Sequence, residues 1–188
     1  MSKAFTKEND GAEDEGIVRV DELPLTAKNY VTPRGLRMLQ AEQQRLAETE
    51  RPETVRLLNE ATAASMELEI APLKKRLRDI DARLHYLGQR IQMAQVIDPG
   101  AKRARADQVF FGATVTFSNR LGEKRTVRIV GVDEMDVAKG DISFVSPLAK
   151  ALLRAEEGDV VPFDAPGGRD ELEVVEVRYL ADGEGDAR

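Results

Sequence analysis

The sequence lacks cysteine and tryptophan and has a single histidine among its 188 residues. Without cysteine there are no disulfides, thiolate zinc sites, iron–sulfur clusters or cysteine nucleophiles. One histidine also excludes the usual histidine-rich metal sites and most serine–histidine chemistry. Carboxylates are the main reactive groups that remain, so we expect a protein with little catalytic equipment of its own and no cofactor bound on its own.

Long apolar runs and an excess of positive charge are also missing. No window approaches 18 consecutive apolar residues, and the first residues, MSKAFTKENDGAEDEG, have no signal-peptide core. We therefore expect a cytoplasmic protein with no membrane partner. The chain has 34 acidic against 28 basic residues and a net charge of −6, which argues against holding duplex nucleic acid by overall charge.

The N-terminal half divides into a polar leader and a helical segment. Residues 1–29 are rich in Glu, Asp, Gly and Lys, so we predict a disordered acidic leader there. Thr32-Pro33 is a helix-start signal, because a capping hydroxyl precedes a proline at the first helical position. Residues 30–98 are then predicted to form a helical finger, and Pro52 predicts a break near Glu50.

The second part of this segment carries a heptad pattern, which predicts a stripe that packs on another helix. An antiparallel hairpin with its tip near residues 61–72 satisfies the pattern, and so does a bundle completed by a second copy of the chain. Pro72 suits the first turn of the second helix, which would leave residues 65–71 as a loop. The stripe comprises Leu73, Leu77, Ile80, Leu84, Leu87, Ile91 and Ala94.

The C-terminal half changes to a period of two. After a basic linker at residues 99–107, five segments rich in β-branched and aromatic residues alternate with turn residues over residues 108–181. Ser146-Pro147 repeats the helix-start signal, and Gly122 suits a hairpin turn with a positive φ. We predict an α+β fold: an antiparallel coiled-coil hairpin, a small α+β domain, and a frayed tail at residues 182–188.

The motifs, taken in order, resemble the Gre transcript-cleavage factors and are closest to GreB-like members. They are VTPRGL, RPE, KKRLRDID, QVIDPG, FFGATVTF, RIVGVDE, ISFVSPLAKALL, EEGDVV and EVVEVRYL, and they cover roughly residues 30 to 180. The resemblance implies a coiled-coil finger, an FKBP-like C-terminal domain and a monomer that binds bacterial RNA polymerase. The domain would dock on the rim of the secondary channel, while the finger enters it and comes near nascent RNA. Such a protein is not an enzyme but a regulator that acts on the polymerase active site.

The tip departs from the family pattern. The family's GDxxEN motif helps to hold a Mg²⁺ ion shared with the polymerase active centre, and carboxylates suit that ion. Aligning from RPE places Met66 at the family Asp and Glu69 at the family Glu, whereas aligning from KKRLR places Ala63 and Met66 there. Glu67 and Glu69 remain as candidates, but on a helix a spacing of two points them about 200° apart. The other interpretation is that both are ordinary solvated tip residues.

Two further groups of residues are candidates for contact with RNA or with the polymerase. A basic cluster below the tip either faces RNA and the channel wall or forms the solvated outer face of the helix; it comprises Lys74, Lys75, Arg76 and Arg78. The resemblance implies that the polymerase rim is met by residues of the C-terminal domain, namely Asp133, Glu134, Ile142, Ser146 and Pro147. The alternatives are a solvated loop for the two carboxylates and a simple helix cap for Ser146-Pro147.

We therefore predict a Gre-family factor that occupies the polymerase channel with weak or absent stimulation of RNA cleavage. The first alternative is a working elongation factor that uses Glu67 or Glu69. Two others come from different classes: an FKBP-like isomerase or chaperone, which the missing tryptophan disfavours, and a homodimeric coiled-coil scaffold.

Overall fold

The computed structural model describes residues 28–165 and 168–181. Almost all of the predicted acidic leader and the whole predicted tail at residues 182–188 lie outside the described residues. The last leader residue, Asn29, is instead buried and begins a short strand. No helix in the described part of the chain is both long enough and apolar enough to span a membrane.

The predicted helical hairpin is confirmed. Its first arm contains α1 (Pro33–Arg45) and α2 (Arg51–Ala63), and its second arm is α3 (Glu67–Gln92). Thr32 caps α1 as expected, because its hydroxyl accepts a hydrogen bond from the Gly35 amide at 3.0 Å.

The predicted break in the first arm is a π-helical segment, Leu46–Glu50, rather than a gap. The Arg51 amide donates to the Leu46 carbonyl five residues back, which is the π-helical pattern. Pro52 follows at once and has no N–H to continue an α-helical ladder. The widened turn therefore lets the first arm continue through Pro52 without a gap.

The heptad stripe also lies where the pattern predicts. Ile80 and Leu87 are buried and pack with residues of the first arm and of the first strand, and the cluster is completed by Val31, Leu39 and Leu46. The strand β1 (Asn29–Val31) pairs in parallel with β2 (Ala94–Val96), so the two ends of the hairpin are joined at its base.

The C-terminal half forms a five-stranded sheet with the order β5-β4-β3-β7-β6. Its strands are β3 (Thr114–Ser118), β4 (Lys124–Val130), β5 (Asp141–Ser143), β6 (Val160–Ala165) and β7 (Gly168–Arg178). All neighbours are antiparallel except β4 and β5. The predicted α+β class is thus confirmed, while the FKBP-like assignment stays a prediction.

Local signals in this half predict the turns and the helix well. Ser146 caps α4 (Pro147–Leu152) by accepting a hydrogen bond from the Ala149 amide, and Gly122 has a φ of +77° in the turn between β3 and β4. Strand boundaries are predicted less well: the first of the five predicted segments, residues 109–117, is a strand only from Thr114, and the last, residues 172–180, is the strand Gly168–Arg178.

The two halves meet through aromatic and polar contacts. Tyr30 of β1 packs against Phe111 and Phe144 of the C-terminal half, with ring centroids 5.7 Å apart in both pairs. These edge-on and tilted contacts are favourable for aromatic rings. They position the base of the hairpin on the sheet domain.

Candidate functional site

The tip of the hairpin is a tight turn at residues 64–66. The Ser65 amide donates to the Thr62 carbonyl and the Met66 amide donates to the Ala61 carbonyl, which together form a Schellman motif. Ser65 takes the left-handed position of this motif with a φ of +54°. Glycine usually fills that position, so the turn closes at a cost in backbone strain.

The structure corrects the predicted tip loop. Residues 67–71 are the first turns of α3, and Pro72 lies inside that helix rather than in its first turn. Glu67 and Glu69 favour this early start, since acidic side chains in the first turn interact well with the helix dipole. Ala63 ends α2 and Met66 precedes α3, and in both alignments the residue at the family Asp, Met66 or Ala63, carries no carboxylate.

The two tip glutamates do not form a pair. Both are exposed, and a spacing of two on a helix separates their directions by about 200°. Glu69 lines the groove between the two arms, whereas Glu67 does not. The two carboxylates therefore do not converge on one point, as they would have to in order to bind the same Mg²⁺ ion together.

A Ser65→Gly substitution is expected to stabilise the chain by about 1 kcal/mol, because glycine takes a positive φ without strain. Urea unfolding followed by circular dichroism measures the change. The same substitution at Ser118, a buried strand residue, is expected to destabilise. A loss of stability in Ser65→Gly would show that the tip does not adopt the left-handed turn.

The predicted basic cluster lies at exposed positions of α3. Lys74, Lys75, Arg76 and Arg78 are all exposed. Arg76 lies 3.7 Å from Glu50 of the first arm, a distance at which an exposed pair contributes little. The cluster therefore offers positive charge to the surroundings, and its contact with RNA or a channel wall stays a prediction.

Glu134 is not a solvated loop residue. It is 3% exposed and its carboxylate accepts hydrogen bonds from the Thr32 amide at 2.8 Å and the Gly131 amide at 3.2 Å. The Thr32 hydroxyl donates to the other carboxylate oxygen. A carboxylate of the sheet domain thus braces the residue that caps α1, and it has no surface left for a partner.

Asp133 is also engaged within the chain. The Tyr86 hydroxyl donates to one of its oxygens at 2.5 Å, and Arg90 donates to the other at 2.8 Å. Burial raises the pKa of Tyr86, and the hydrogen bond to Asp133 raises it further. Because both carboxylates face the hairpin, the solvated-loop alternative is wrong, and a direct contact of Asp133 and Glu134 with the polymerase stays a prediction that their burial disfavours.

A third polar contact joins the halves at Asp141. This carboxylate is 1% exposed and receives a fork from Arg128, at 2.7 and 2.8 Å, and a further bond from Arg34 at 2.6 Å. Arg34 lies in α1 and Arg128 in β4, so Asp141 connects the two halves. Bidentate arginine–carboxylate pairs fix orientation as well as charge.

The other predicted docking residues lie in β5 and at the start of α4. Ile142 is half-buried and packs against the domain core, and Ser146 is half-buried as the cap of α4. Pro147 is exposed. The helix-cap interpretation of Ser146-Pro147 is confirmed, and a partner contact at Pro147 stays a prediction.

Comparison with known proteins decides the family. A family described as "Transcription elongation factor, N-terminal" matches residues 29–96, and one described as "Transcription elongation factor, GreA/GreB, C-term" matches residues 104–179. The chain belongs to the GreA/GreB family.

Curated members of the GreA/GreB family align with most of this chain. Transcription elongation factor GreB of Neisseria meningitidis is 44% identical over 156 residues, which is 81% of this chain and 95% of the relative. GreA of Alkalilimnicola ehrlichii is 39% identical and covers 81% of this chain and 99% of its own. Among solved structures, GreA factor homolog 1 of Thermus thermophilus is 26% identical over 81% of this chain and 99% of its own, with a TM-score of 0.38.

Sequence reasoning singled out Asp133 and Glu134 of this GreA/GreB family chain but missed their partners Thr32, Tyr86 and Arg90. It also missed Asp141 and its partners Arg34 and Arg128. One signal was available: Tyr86 is the only phenylalanine, tyrosine or tryptophan in α3, and a buried tyrosine hydroxyl usually has a partner.

Proposed function

We propose that this chain binds bacterial RNA polymerase and inserts its hairpin into the secondary channel, where it regulates transcription with little stimulation of RNA cleavage. Family membership supports the polymerase as partner. The 26 residues of α3 extend about 39 Å, which suits a probe that enters a channel. The exposed side of the sheet domain that includes Pro147 then docks on the rim.

The observation that supports weak stimulation of RNA cleavage is the geometry of the tip. The turn at residues 64–66 holds no carboxylate, and the nearest ones, Glu67 and Glu69, diverge on the first turn of α3. Stimulating hydrolysis through a shared ion requires oxygen ligands that converge on one point. Occupying the channel requires only shape and docking, which this hairpin retains.

Cleavage in backtracked elongation complexes tests this proposal. We expect the chain to add little cleavage to that of the polymerase alone, and to inhibit, as its concentration rises, the cleavage stimulated by an active GreB. A pull-down with core polymerase measures binding separately. Failure to bind the polymerase and to compete with GreB would refute the proposed function.

A second candidate is a working cleavage factor that uses Glu67 or Glu69. The observation in its favour is that both glutamates are exposed and next to the turn. A Glu67→Gln/Glu69→Gln variant separates the two candidates, with Glu171→Gln/Glu173→Gln on β7 as a control of equal charge and spacing. Strong cleavage that only the tip variant loses would establish this candidate in place of the first.

A further inference from the structure

An apolar groove lies between the ends of α2 and α3, beside the tip turn. It is open to solvent, has a volume of about 420 Å³, and is lined chiefly by Leu57, Met66, Leu68, Pro72 and Leu73. A space of this size is within the range of ligand-binding clefts. The tip therefore offers a concave apolar surface where the family motif would place carboxylates.

The side chains around this groove are unusually exposed for their type. Leu68 is 92% exposed and Met66 is 44% exposed, and neither belongs to the packed core of the hairpin. Burying such side chains against a partner is favourable, and contiguous exposed apolar surface marks interaction sites.

The charged residues that line the groove are of one sign. They are Glu60 and Glu69, with Glu67 beside them on α3, whereas Arg56 and Lys74, the nearest basic residues in the sequence, lie outside the lining. Of the three glutamates, Glu60 pairs with Arg56 at 2.6 Å, and this pair is exposed. The groove is thus flanked by carboxylates, which complement a cationic partner.

The backbone adds an acceptor at the same place. Pro72 has no N–H, so it cannot form the usual helical hydrogen bond with the Leu68 carbonyl four residues before it. That carbonyl lies on the first turn of α3, next to the groove. A lysine or arginine of a bound partner is a suitable donor for it.

We propose that this groove binds the apolar face of an amphipathic helical segment that carries lysine or arginine beside its apolar stripe. Helix-in-groove recognition uses such a stripe of apolar anchors. In the transcription complex this segment belongs to the polymerase, a step that rests on the proposed function. RNA is the less suitable occupant because its phosphates are repelled by Glu69 in the lining and by Glu67 beside it. A second copy is less suitable because it carries the same charge.

A peptide titration with the full chain tests the groove without the polymerase. The probe is a Leu/Ala/Lys helical peptide of about four turns, compared with a scrambled peptide of the same composition. We expect the helical peptide to bind about 10-fold more tightly than the scrambled one. The Met66→Gln/Leu68→Gln variant is expected to lose this preference, and Leu121→Gln, which alters a leucine that is 84% exposed in the sheet domain, is expected to keep it. Equal binding of the two peptides, or a preference that survives the tip variant, would overturn the inference.

Photocrosslinking then identifies the partner. A crosslinker placed at position 68 of the full chain is expected to react with a helical polymerase segment that has basic residues beside an apolar stripe. Crosslinks to RNA, to a second copy or to an acidic segment would overturn the inference even when the pull-down shows normal binding. Absence of any polymerase binding refutes the proposed function instead, and the peptide titration still decides whether the groove binds a cationic helix.

Discussion

The Gly35→Ala substitution is expected to destabilise the folded chain by about 3 kcal/mol, although alanine is normally the better helix residue. A β-carbon at position 35 would lie 2.1 Å from the Glu134 Cδ and 2.4 Å from its Oε1. The glutamate would have to leave its site, and the buried Thr32 and Gly131 amides would lose their acceptor. Urea unfolding measures the change in the free energy of unfolding.

A double-mutant cycle assigns this effect to one contact. In a Glu134→Ala background, Gly35→Ala is expected to be neutral or to stabilise by up to about 1 kcal/mol, because the clash is gone. Gly88→Ala in α3 is the matched control, since its β-carbon would meet nothing closer than the Gln43 amide at 3.7 Å. A gain in stability from Gly35→Ala in the unaltered chain would contradict the described position of Glu134.

The Asp141→Asn substitution is expected to cost about 3 kcal/mol at neutral pH. It keeps the shape of the side chain but removes the negative charge from between the Arg34 and Arg128 guanidinium groups. Asp164→Asn is the control, because Asp164 lies 3.9 Å from Arg169 in an exposed pair and such pairs contribute little. A cost no larger than that of the control would show that Asp141 does not join the two halves.

The same carboxylate gives the stability a pH dependence. Burial alone would raise the pKa of Asp141, but the hydrogen bonds from Arg128 and Arg34 outweigh it and lower that pKa below its ordinary value. A lowered pKa in the folded state stabilises the chain fully above the unfolded value of about 3.9, and the benefit is lost as the pH falls through the folded value. We expect the free energy of unfolding to fall less between pH 5 and pH 2 in Asp141→Asn than in the unaltered chain. Unfolding curves recorded on the order of every half pH unit measure the difference.

Sequence reasoning succeeded where the physical cause is local. Thr32-Pro33 and Ser146-Pro147 each place a capping hydroxyl before a proline, and both begin helices. The prediction of the heptad stripe succeeded for the same reason, since the period of the stripe alone decides which residues face the other arm. The resemblance added the family, which periodicity does not reveal.

The contacts that sequence reasoning missed join residues that are far apart along the chain. Thr32 and Glu134 are separated by 102 residues, and nothing near either one indicates the other. The tip was mispredicted for a different reason. Its turn uses Ser65 at a position where glycine is the usual signal, so the sequence does not mark Glu67 as the helix start and indicates Pro72 instead.

The π-helical segment has a consequence for insertions and deletions. A π-turn contains one residue more than an α-turn, so Leu46–Glu50 holds a surplus residue within the first arm. Deleting one residue there, together with replacing Pro52 by alanine, would yield a continuous α-helix with both flanking parts still facing α3. A deletion elsewhere in the arm would rotate everything beyond it by about 100° and turn buried residues such as Thr54 and Ala61 towards water. A relative whose first arm is one residue shorter can therefore keep the same packing if it lacks the residue at this point.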